Sequence, residues 1–251
     1  MFPAKARAAV AGQMNSTPGD ASVSVPVMAS PRVCSVNVGR AIGASWAGAL
    51  KSSAIDKRPV ASAVQVGMLG LAGDEQSDKV HHGGPDQAVY AYAREDLDWW
   101  AGQLGREVRD GTFGENVTTA GLDVSRALIG EIWQFGGVVV QVTSPRIPCV
   151  VFRNWMDEKG WVRVFRAAGR PGPYLRVRQP GMMRAGDPIE RLSRPTGSVT
   201  VAEVMAAFYE RDVEVIRRML AVPGHSSRWD GVAQEWIADG HPPTAAAQAT
   251  G

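Results

Sequence analysis

The sequence predicts a mainly β protein with peripheral helices, followed by a small C-terminal module of three helices. From Arg32 onward, short apolar runs alternate with glycine-rich stretches, which is typical of a sheet protein. The composition changes after Leu192, where helix-capping residues precede short apolar stripes. The predicted strands lie in RVCSVNVG, SAVQVG, QAVYAY, EIWQFGGVVVQVTSP, YLRVRQPG and DPIERL.

Residues 1–30 are interpreted as a flexible N-terminal extension. They include Lys5 and Arg7 but lack the apolar core that a secretory signal requires. Met28 stands just before the first strand pattern, so an upstream start codon or an added expression sequence would explain residues 1–27.

Local signals predict a hairpin and two helices within residues 31–192, the proposed sheet domain. Gly136 and Gly137 have the composition of a tight turn, so the strands on either side should pair antiparallel. Apolar residues at helical spacing predict a helix over Arg94–Leu104, and Gly105 suits its C-terminal cap. A further helix is expected between Val150 and Ala168, where aromatic residues are too dense for a clean period.

The C-terminal module is predicted to span residues 198–241, after a linker with the sequence SRPTGS. Thr200 and Glu203 form a capping box for its first helix. Asp212 and Ser227 begin the other two helices, and the tail beyond is expected to be frayed. We expect truncation after Leu192 to leave some ligand binding intact, because none of the motifs described below lies beyond it. The apolar stripes of these helices could dock a partner or be buried against the sheet.

Composition excludes several classes of protein. The chain has 27 Lys and Arg against 25 Asp and Glu, an excess too small for a protein that coats a nucleic-acid polymer. No apolar run approaches the roughly 18 to 20 residues of a membrane helix, so we expect no membrane span. Two cysteines are too few for a disulfide framework, which favours a reduced, cytoplasmic protein.

The most unusual stretch is DKVHHGGPDQ, at Asp78–Gln87. The adjacent His81 and His82 could bind a metal, although no third ligand stands at a recognisable spacing. Alternatively, Gly83, Gly84 and Pro85 only shape a turn, or the glycine amides and a histidine donate to a phosphate or a similar anion. The residues alone leave these three readings open.

Two further stretches carry candidate polar and thiol groups. FGENVTT at Phe113–Thr119 places Asn116 before a β-branched run, so its amide either forms a turn or points into a cavity. In TSPRIPC, at Thr143–Cys149, two prolines keep the loop extended. Its Ser144 and Arg146 put a donor and a cation near the thiol, which favours the thiolate that binds soft metals. Cys34, inside an alternating strand, is expected to be a core residue.

Basic residues occur in two other places. KSSAIDK at Lys51–Lys57 supplies two lysines and two hydroxyls on a predicted loop and strand start. Arg176 and Arg178 are two apart on a strand and should share one face. Both groups could simply face solvent, or they could bind an anion.

Taken together and in order, these motifs resemble the MOSC family, named for the C-terminal domain of molybdenum-cofactor sulfurase, and most closely its small, stand-alone, bacterial YiiM-like members. The resemblance covers about residues 32–192, and the three short helices after Ser198 are similar to the appendix of this subgroup. It rests on the motifs SVNVG, KSSAIDKRPV, GLAGDEQSD, HGGPDQAV, FGENVTT and PRIPC.

The resemblance implies a MOSC β-barrel with a pocket for a molybdenum cofactor of the molybdopterin type, whose metal is bound by Cys149. It implies reduction of small N-hydroxylated compounds, such as hydroxylaminopurines and amidoximes, with electrons from a separate reductase of the flavoprotein type. Gln87 departs from the lysine expected after HGGPD, so anion binding would depend more on other basic residues. The cofactor-binding residues carried over by position are Lys51, Ser53, His82, Asn116, Ser144, Arg146 and Arg176.

Two other functions remain open at this point. In the first, Cys149 carries a persulfide or holds the cofactor for delivery to another enzyme. In the second, the chain is a non-enzymatic scaffold whose C-terminal helices dock a partner. Sustained turnover by cofactor-loaded protein would favour the enzyme, and single-equivalent sulfur transfer would favour the carrier.

Overall fold

The computed structural model describes residues 30–77 and 83–239, and within them the chain forms thirteen strands and six α-helices. The strands are β1 (Arg32–Val38), β2 (Ile42–Gly43), β3 (Ser52–Ser53), β4 (Arg58–Pro59), β5 (Val64–Gly67), β6 (Gly70–Leu71), β7 (Val89–Ala93), β8 (Val117–Ala120), β9 (Ile132–Phe135), β10 (Val138–Pro145), β11 (Pro173–Gln179), β12 (Gly181–Met183) and β13 (Ile189–Ser193). The helices are α1 (Arg94–Leu104), α2 (Val150–Met156), α3 (Trp161–Ala168), α4 (Val201–Glu210), α5 (Val213–Leu220) and α6 (Arg228–Asp239).

The largest sheet has eight strands in the order β13-β9-β10-β11-β7-β8-β1-β4. Its pairs are antiparallel except β7 with β8, which run parallel with helix α1 between them. Near its two ends, Arg32 and Pro188 form one isolated antiparallel bridge, and Val33 donates to the Asp187 carbonyl at 2.9 Å. No ladder between β1 and β13 closes the sheet within the described residues, so the structure confirms a sheet-rich fold but not the expected closed barrel.

The short-range predictions for the hairpin and for α1 are confirmed. Val138 pairs with Phe135 across a turn at Gly136, whose φ is 55°. A Cβ at Gly136 would lie 2.3 Å from a carboxylate oxygen of Asp187, so a side chain there would have to displace Asp187 and would also strain the backbone. Helix α1 spans Arg94–Leu104 and ends at Gly105 with φ 63°.

The region between Val150 and Ala168 holds two helices where the sequence predicted one. Asp157 ends α2 with a left-handed backbone, and Gly160 precedes α3 with φ 72°. The two short helices and α1 place aromatic side chains in a shared apolar cluster. Its fully buried members include Trp100, Phe113, Phe152, Trp161 and Phe165.

The three C-terminal helices begin as predicted but share the core of the sheet. Thr200 and Glu203 form the capping box of α4, and Asp212 caps α5 by accepting from two backbone amides. Most of their buried side chains belong to the same cluster as the sheet residues, among them Val204, Met219 and Trp236. A separate three-helix module is therefore not confirmed, because its apolar faces are completed by the sheet. None of the helices in the described ranges has the length and hydropathy needed to span a bilayer.

We expect this shared core to make the C-terminal helices essential for stability. Met219 of α5 is fully buried, so Met219→Ala should lower the free energy of unfolding by about 2 to 5 kcal/mol. Glu214→Ala, at an exposed position of the same helix, should change it by less than about 0.5 kcal/mol. Urea denaturation measures both, and equal effects would show that α5 is not packed on the sheet. By the same reasoning, truncation after Leu192 should abolish cooperative unfolding rather than leave a competent domain.

Candidate functional site

A cavity at one side of the large sheet brings several of the predicted motifs together. Its empty volume, which includes the open mouth, is about 680 Å³. The residues of its wall that matter below are Ser53, Lys57, Asp74, Asn116, Arg146 and Cys149.

Cys149 reaches this cavity from the loop that connects β10 to α2. The loop is held to the next strand, because Pro145 pairs with Pro173 and the Arg146 amide donates to the Gly172 carbonyl at 3.1 Å. Cys149 is the N-cap of α2, and its Sγ accepts from the Phe152 amide at 3.5 Å. With 8% of its surface exposed, the residue is buried but lines the cavity, so a ligand inside could reach its sulfur.

Arg146 places a buried cation in the same wall. Its guanidinium carbon lies 4.9 Å from the ring centre of Tyr90 and 4.3 Å from that of Phe152, so the group packs against two aromatic rings. Only 6% of the residue is exposed, and its Nε has no hydrogen-bond partner among the described residues. A buried donor left unpaired costs about 1 to 3 kcal/mol. An anionic group in the cavity could remove that cost.

Asn116 also lines the cavity, but the protein itself satisfies its amide. Its Oδ1 accepts from the Tyr90 amide at 3.1 Å, and its Nδ2 donates to Oδ2 of Asp74 at 2.8 Å. The Asn116 side chain therefore joins β7 to the loop that carries Asp74. A ligand would meet an amide whose orientation is already fixed.

A buried ion pair between Lys57 and Asp74 is the part of the site that the sequence analysis missed. Both residues lie in quoted motifs, KSSAIDK and GLAGDEQSD, but nothing local indicated that they pair. Asp74 also accepts from the Gly39 amide at 2.8 Å. Burial lowers the pKa of Lys57, and the Asp74 carboxylate opposes that change.

The remaining predicted site residues lie in different surroundings. Ser53 lines the cavity and accepts from the Ile55 amide at 3.1 Å, whereas Ser144 is buried within β10 and is not part of the cavity wall. Lys51 is exposed, between Leu50 and Ser52, which do line the cavity. His82, like His81, lies outside the described residues.

Arg176 is bound elsewhere, by Asp86, the last residue of the HGGPD motif. Its Nε donates to Oδ1 of Asp86 at 2.9 Å and its Nη2 donates to the same oxygen at 2.5 Å. Arg178 donates instead to Gln141 at 2.9 Å, so these two arginines do not form a common anion clamp. Gln87, in place of the expected lysine, lines the cavity and accepts from the Gly83 amide at 3.2 Å.

Cys34 is half-buried, so the expectation that it lies in the core is wrong. The pairing of β1 with β8 shifts register between Val33 and Ser35, and Cys34 stands at that irregularity. The bulge breaks the strict alternation on which the prediction depended. Burial nevertheless raises the pKa of its thiol.

Glu115 stabilises the loop beside the cavity from a fully buried position. It accepts from the backbone amides of Gly111 at 2.5 Å and Phe113 at 2.9 Å, and from the Thr118 hydroxyl at 3.2 Å. Burial outweighs these donors and raises the pKa of Glu115 from 4.5 to about 7.

This pKa predicts a pH-dependent stability. Because the folded state holds the Glu115 proton more tightly than the unfolded state, the contribution of Glu115 is greatest below pH 4.5 and falls as the pH rises towards about 7. The fall is roughly 1.4 kcal/mol per pH unit within that window. Between pH 5 and pH 7, urea denaturation should show that wild type loses stability relative to Glu115→Gln, because the glutamine side chain does not titrate. If the difference in free energy of unfolding between the two proteins stays constant with pH, this prediction is contradicted.

Comparison with known proteins agrees with the motifs. The profile of the MOSC domain matches residues 78–190. YflK of Bacillus subtilis is 34% identical over 199 residues, which cover 78% of this chain and 90% of that protein. YiiM of Escherichia coli is 34% identical over 190 residues, covering 74% of this chain and 84% of that protein.

Two crystal structures of YiiM proteins are similar in fold over more than four fifths of this chain. YiiM from Geobacillus stearothermophilus matches with a TM-score of 0.68 and 29% identity, over 82% of this chain and 98% of that one. YiiM from Escherichia coli matches with a TM-score of 0.68 and 28% identity, over 85% of this chain and 96% of that one. The chain therefore belongs to the MOSC domain family and is a YiiM-like member of it.

Proposed function

We propose that this protein binds a molybdopterin-type molybdenum cofactor in the cavity through Cys149 and reduces small N-hydroxylated compounds, such as hydroxylaminopurines or amidoximes. The MOSC domain family is associated with the molybdenum cofactor. The observation that carries the proposal is the position of the Cys149 thiol in one cavity wall with the buried Arg146.

The donor set of the cavity fits such a group. A thiolate is a soft ligand that suits a heavy transition metal. Arg146 offers a planar cation whose Nε lacks a partner among the described residues, which suits the anionic part of a pterin cofactor. When bound, the cofactor would supply two-electron redox chemistry, which side chains alone cannot carry out.

The side chains of the cavity wall would bind the cofactor and orient it. Cys149 would hold the metal, while Arg146 and Ser53 would hold the rest of the cofactor from the cavity wall. Asn116 would act through its fixed contacts with Tyr90 and Asp74. Lys51, His82, Ser144 and Arg176 stay cofactor-binding proposals; Lys51 adjoins the cavity, and Arg176 would first have to leave Asp86.

The electrons would come from a separate reductase of the flavoprotein type. We also propose that the protein works in the cytoplasm, since Cys34 and Cys149 are not joined in a disulfide.

Metal analysis of protein from molybdate-supplied cells tests this proposal, together with reduction of 6-hydroxylaminopurine and benzamidoxime by a chemical reductant. We expect about one molybdenum per chain and sustained turnover. Transfer of a single equivalent of sulfur without turnover would favour the carrier function instead. Absence of molybdenum from folded protein would contradict the proposed reductase.

A further inference from the structure

Reduction of an N-hydroxylated compound consumes protons as well as electrons, and the following inference rests on the proposed function. In R–NH–OH + 2 H⁺ + 2 e⁻ → R–NH₂ + H₂O, the N–O bond breaks, the oxygen leaves as water and nitrogen gains a hydrogen. The flavoprotein-type reductase supplies the two electrons. A proton must reach the departing oxygen inside the cavity, and a side chain positioned there can deliver it.

Most titratable groups of the cavity wall are poorly suited to that step. Arg146 does not release a proton near neutral pH. Burial raises the pKa of Tyr90 and of Tyr174, which makes both phenols weaker acids. Asp74 is held as a hydrogen-bond acceptor by Lys57, Gly39 and Asn116. Glu75 is exposed and accepts from the Ala41 amide.

Lys57 is the remaining candidate, and the fold holds its backbone in place at the cavity wall. Only 6% of the residue is exposed. Its backbone is fixed, because its amide donates to the Ile55 carbonyl at 2.8 Å and its carbonyl accepts from Arg109 at 2.6 Å. A Cβ at Gly111 would lie 2.3 Å from the Lys57 carbonyl oxygen, so the close approach of the backbone at position 111 to Lys57 requires glycine.

The side chain of Lys57 retains donors for a ligand. An ammonium has three N–H groups, and within residues 30–77 and 83–239 the ion pair with Asp74 uses one of them. Asp74 is itself fixed by hydrogen bonds from Gly39 and Asn116. The ion pair therefore fixes the position of the ammonium and leaves its other N–H groups available to a ligand. Lys57 lines the cavity together with Cys149, which places the donor and the proposed metal ligand in one chamber.

The charges around Lys57 also favour release of a proton. Burial is the largest influence and lowers the pKa of the ammonium. Asp74 and Glu115 oppose this change, whereas Arg146 adds to it. A buried lysine whose pKa is lowered is a stronger acid than a solvated one, and it can recover its proton from water at the cavity mouth.

We propose that Lys57 donates the proton to the departing oxygen of the N-hydroxylated substrate, and that Asp74 positions it. The proton passes from Nζ to the hydroxyl oxygen as the N–O bond breaks, and water leaves. The second proton, which ends on nitrogen, comes from solvent, and a further proton from solvent restores the Lys57 ammonium.

The first test measures the ionisation of Lys57 directly, without turnover. In protein labelled at lysine Cε with ¹³C, the Lys57 signal is assigned by its absence from Lys57→Arg. It should titrate at lower pH than the signal of the exposed Lys159, which is assigned in the same way from Lys159→Arg. Titration of the two signals at the same pH would overturn the proposal.

The second test uses the same variants with 6-hydroxylaminopurine. Lys57→Arg keeps a cation beside Asp74 but cannot release a proton, so kcat should fall about 10²- to 10⁴-fold with molybdenum content and KM nearly unchanged. The alkaline limb of the pH profile of kcat should also disappear, while Lys159→Arg should resemble wild type. Lys57→Met, checked by circular dichroism, should show the same loss.

The outcomes separate this proposal from the proposed function. Wild-type turnover together with full kcat in Lys57→Arg would overturn the proton-donor role alone. Loss of molybdenum from Lys57→Arg in proportion to its loss of activity would overturn it in favour of a cofactor anchor. Wild-type protein without molybdenum or turnover would overturn both the role and the function.

Discussion

Cys149→Ser is expected to remove molybdenum and all reductase activity while the protein stays folded. A thiolate is a soft, strongly donating ligand, whereas a serine hydroxyl is hard and hardly ionised near neutral pH. The fold should tolerate the change because Cys149 caps α2, and serine is among the preferred residues at a helix N-cap. The measurements are metal analysis, reduction of 6-hydroxylaminopurine and circular dichroism.

Cys34→Ser is the matched control in the same chain. Cys34 is half-buried at an irregularity of β1 and is not part of the cavity wall, so this variant should keep both metal and activity. Its loss of stability should not exceed about 1 to 3 kcal/mol, the range for a hydroxyl buried without a partner. Full activity in Cys149→Ser would remove the proposed ligand and with it the proposed mechanism.

The predictions that are confirmed depend on signals a few residues apart. Gly136 and Gly137 determine a turn locally, Gly105 ends α1, and Thr200 with Glu203 begins α4. What the sequence could not reveal is how distant segments pair. The parallel pairing of β7 with β8 and the burial of the C-terminal helices against the sheet both depend on contacts between segments far apart in the chain.

The same distinction applies to the candidate site. Ser53 and Asn116 come from two separate motifs, Arg146 and Cys149 from a third, and the fold brings all four residues to one cavity. The ion pairs were harder to predict, because the sequence does not indicate which acidic residue pairs with which basic residue. Asp74 lies in a loop and binds Lys57, and Asp86 binds Arg176, 90 residues away.

Arg146 is expected to contribute to cofactor retention through its shape as well as its charge. Arg146→Lys would keep a positive charge, but an ammonium cannot present a planar fork or pack flat between Tyr90 and Phe152. A hydrogen bond to a charged group contributes about 1.5 to 3 kcal/mol, so we expect roughly 10- to 100-fold weaker retention. Arg146→Ala should lose at least as much.

The measurement is molybdenum content after extended dialysis, with circular dichroism and urea denaturation to separate binding from folding. Arg58→Lys serves as the control, because Arg58 is largely exposed and, in the part of the chain that the structure describes, forms its ion pair with Asp56 at the surface. It should retain molybdenum like wild type. Equal retention by Arg146→Lys and wild type would show that charge alone suffices, since the Nε of Arg146, which has no hydrogen-bond partner in the described ranges, would then have no role in holding the cofactor. If Arg146→Lys loses molybdenum while its free energy of unfolding stays unchanged, the Nε of Arg146 is instead assigned as a donor to the cofactor.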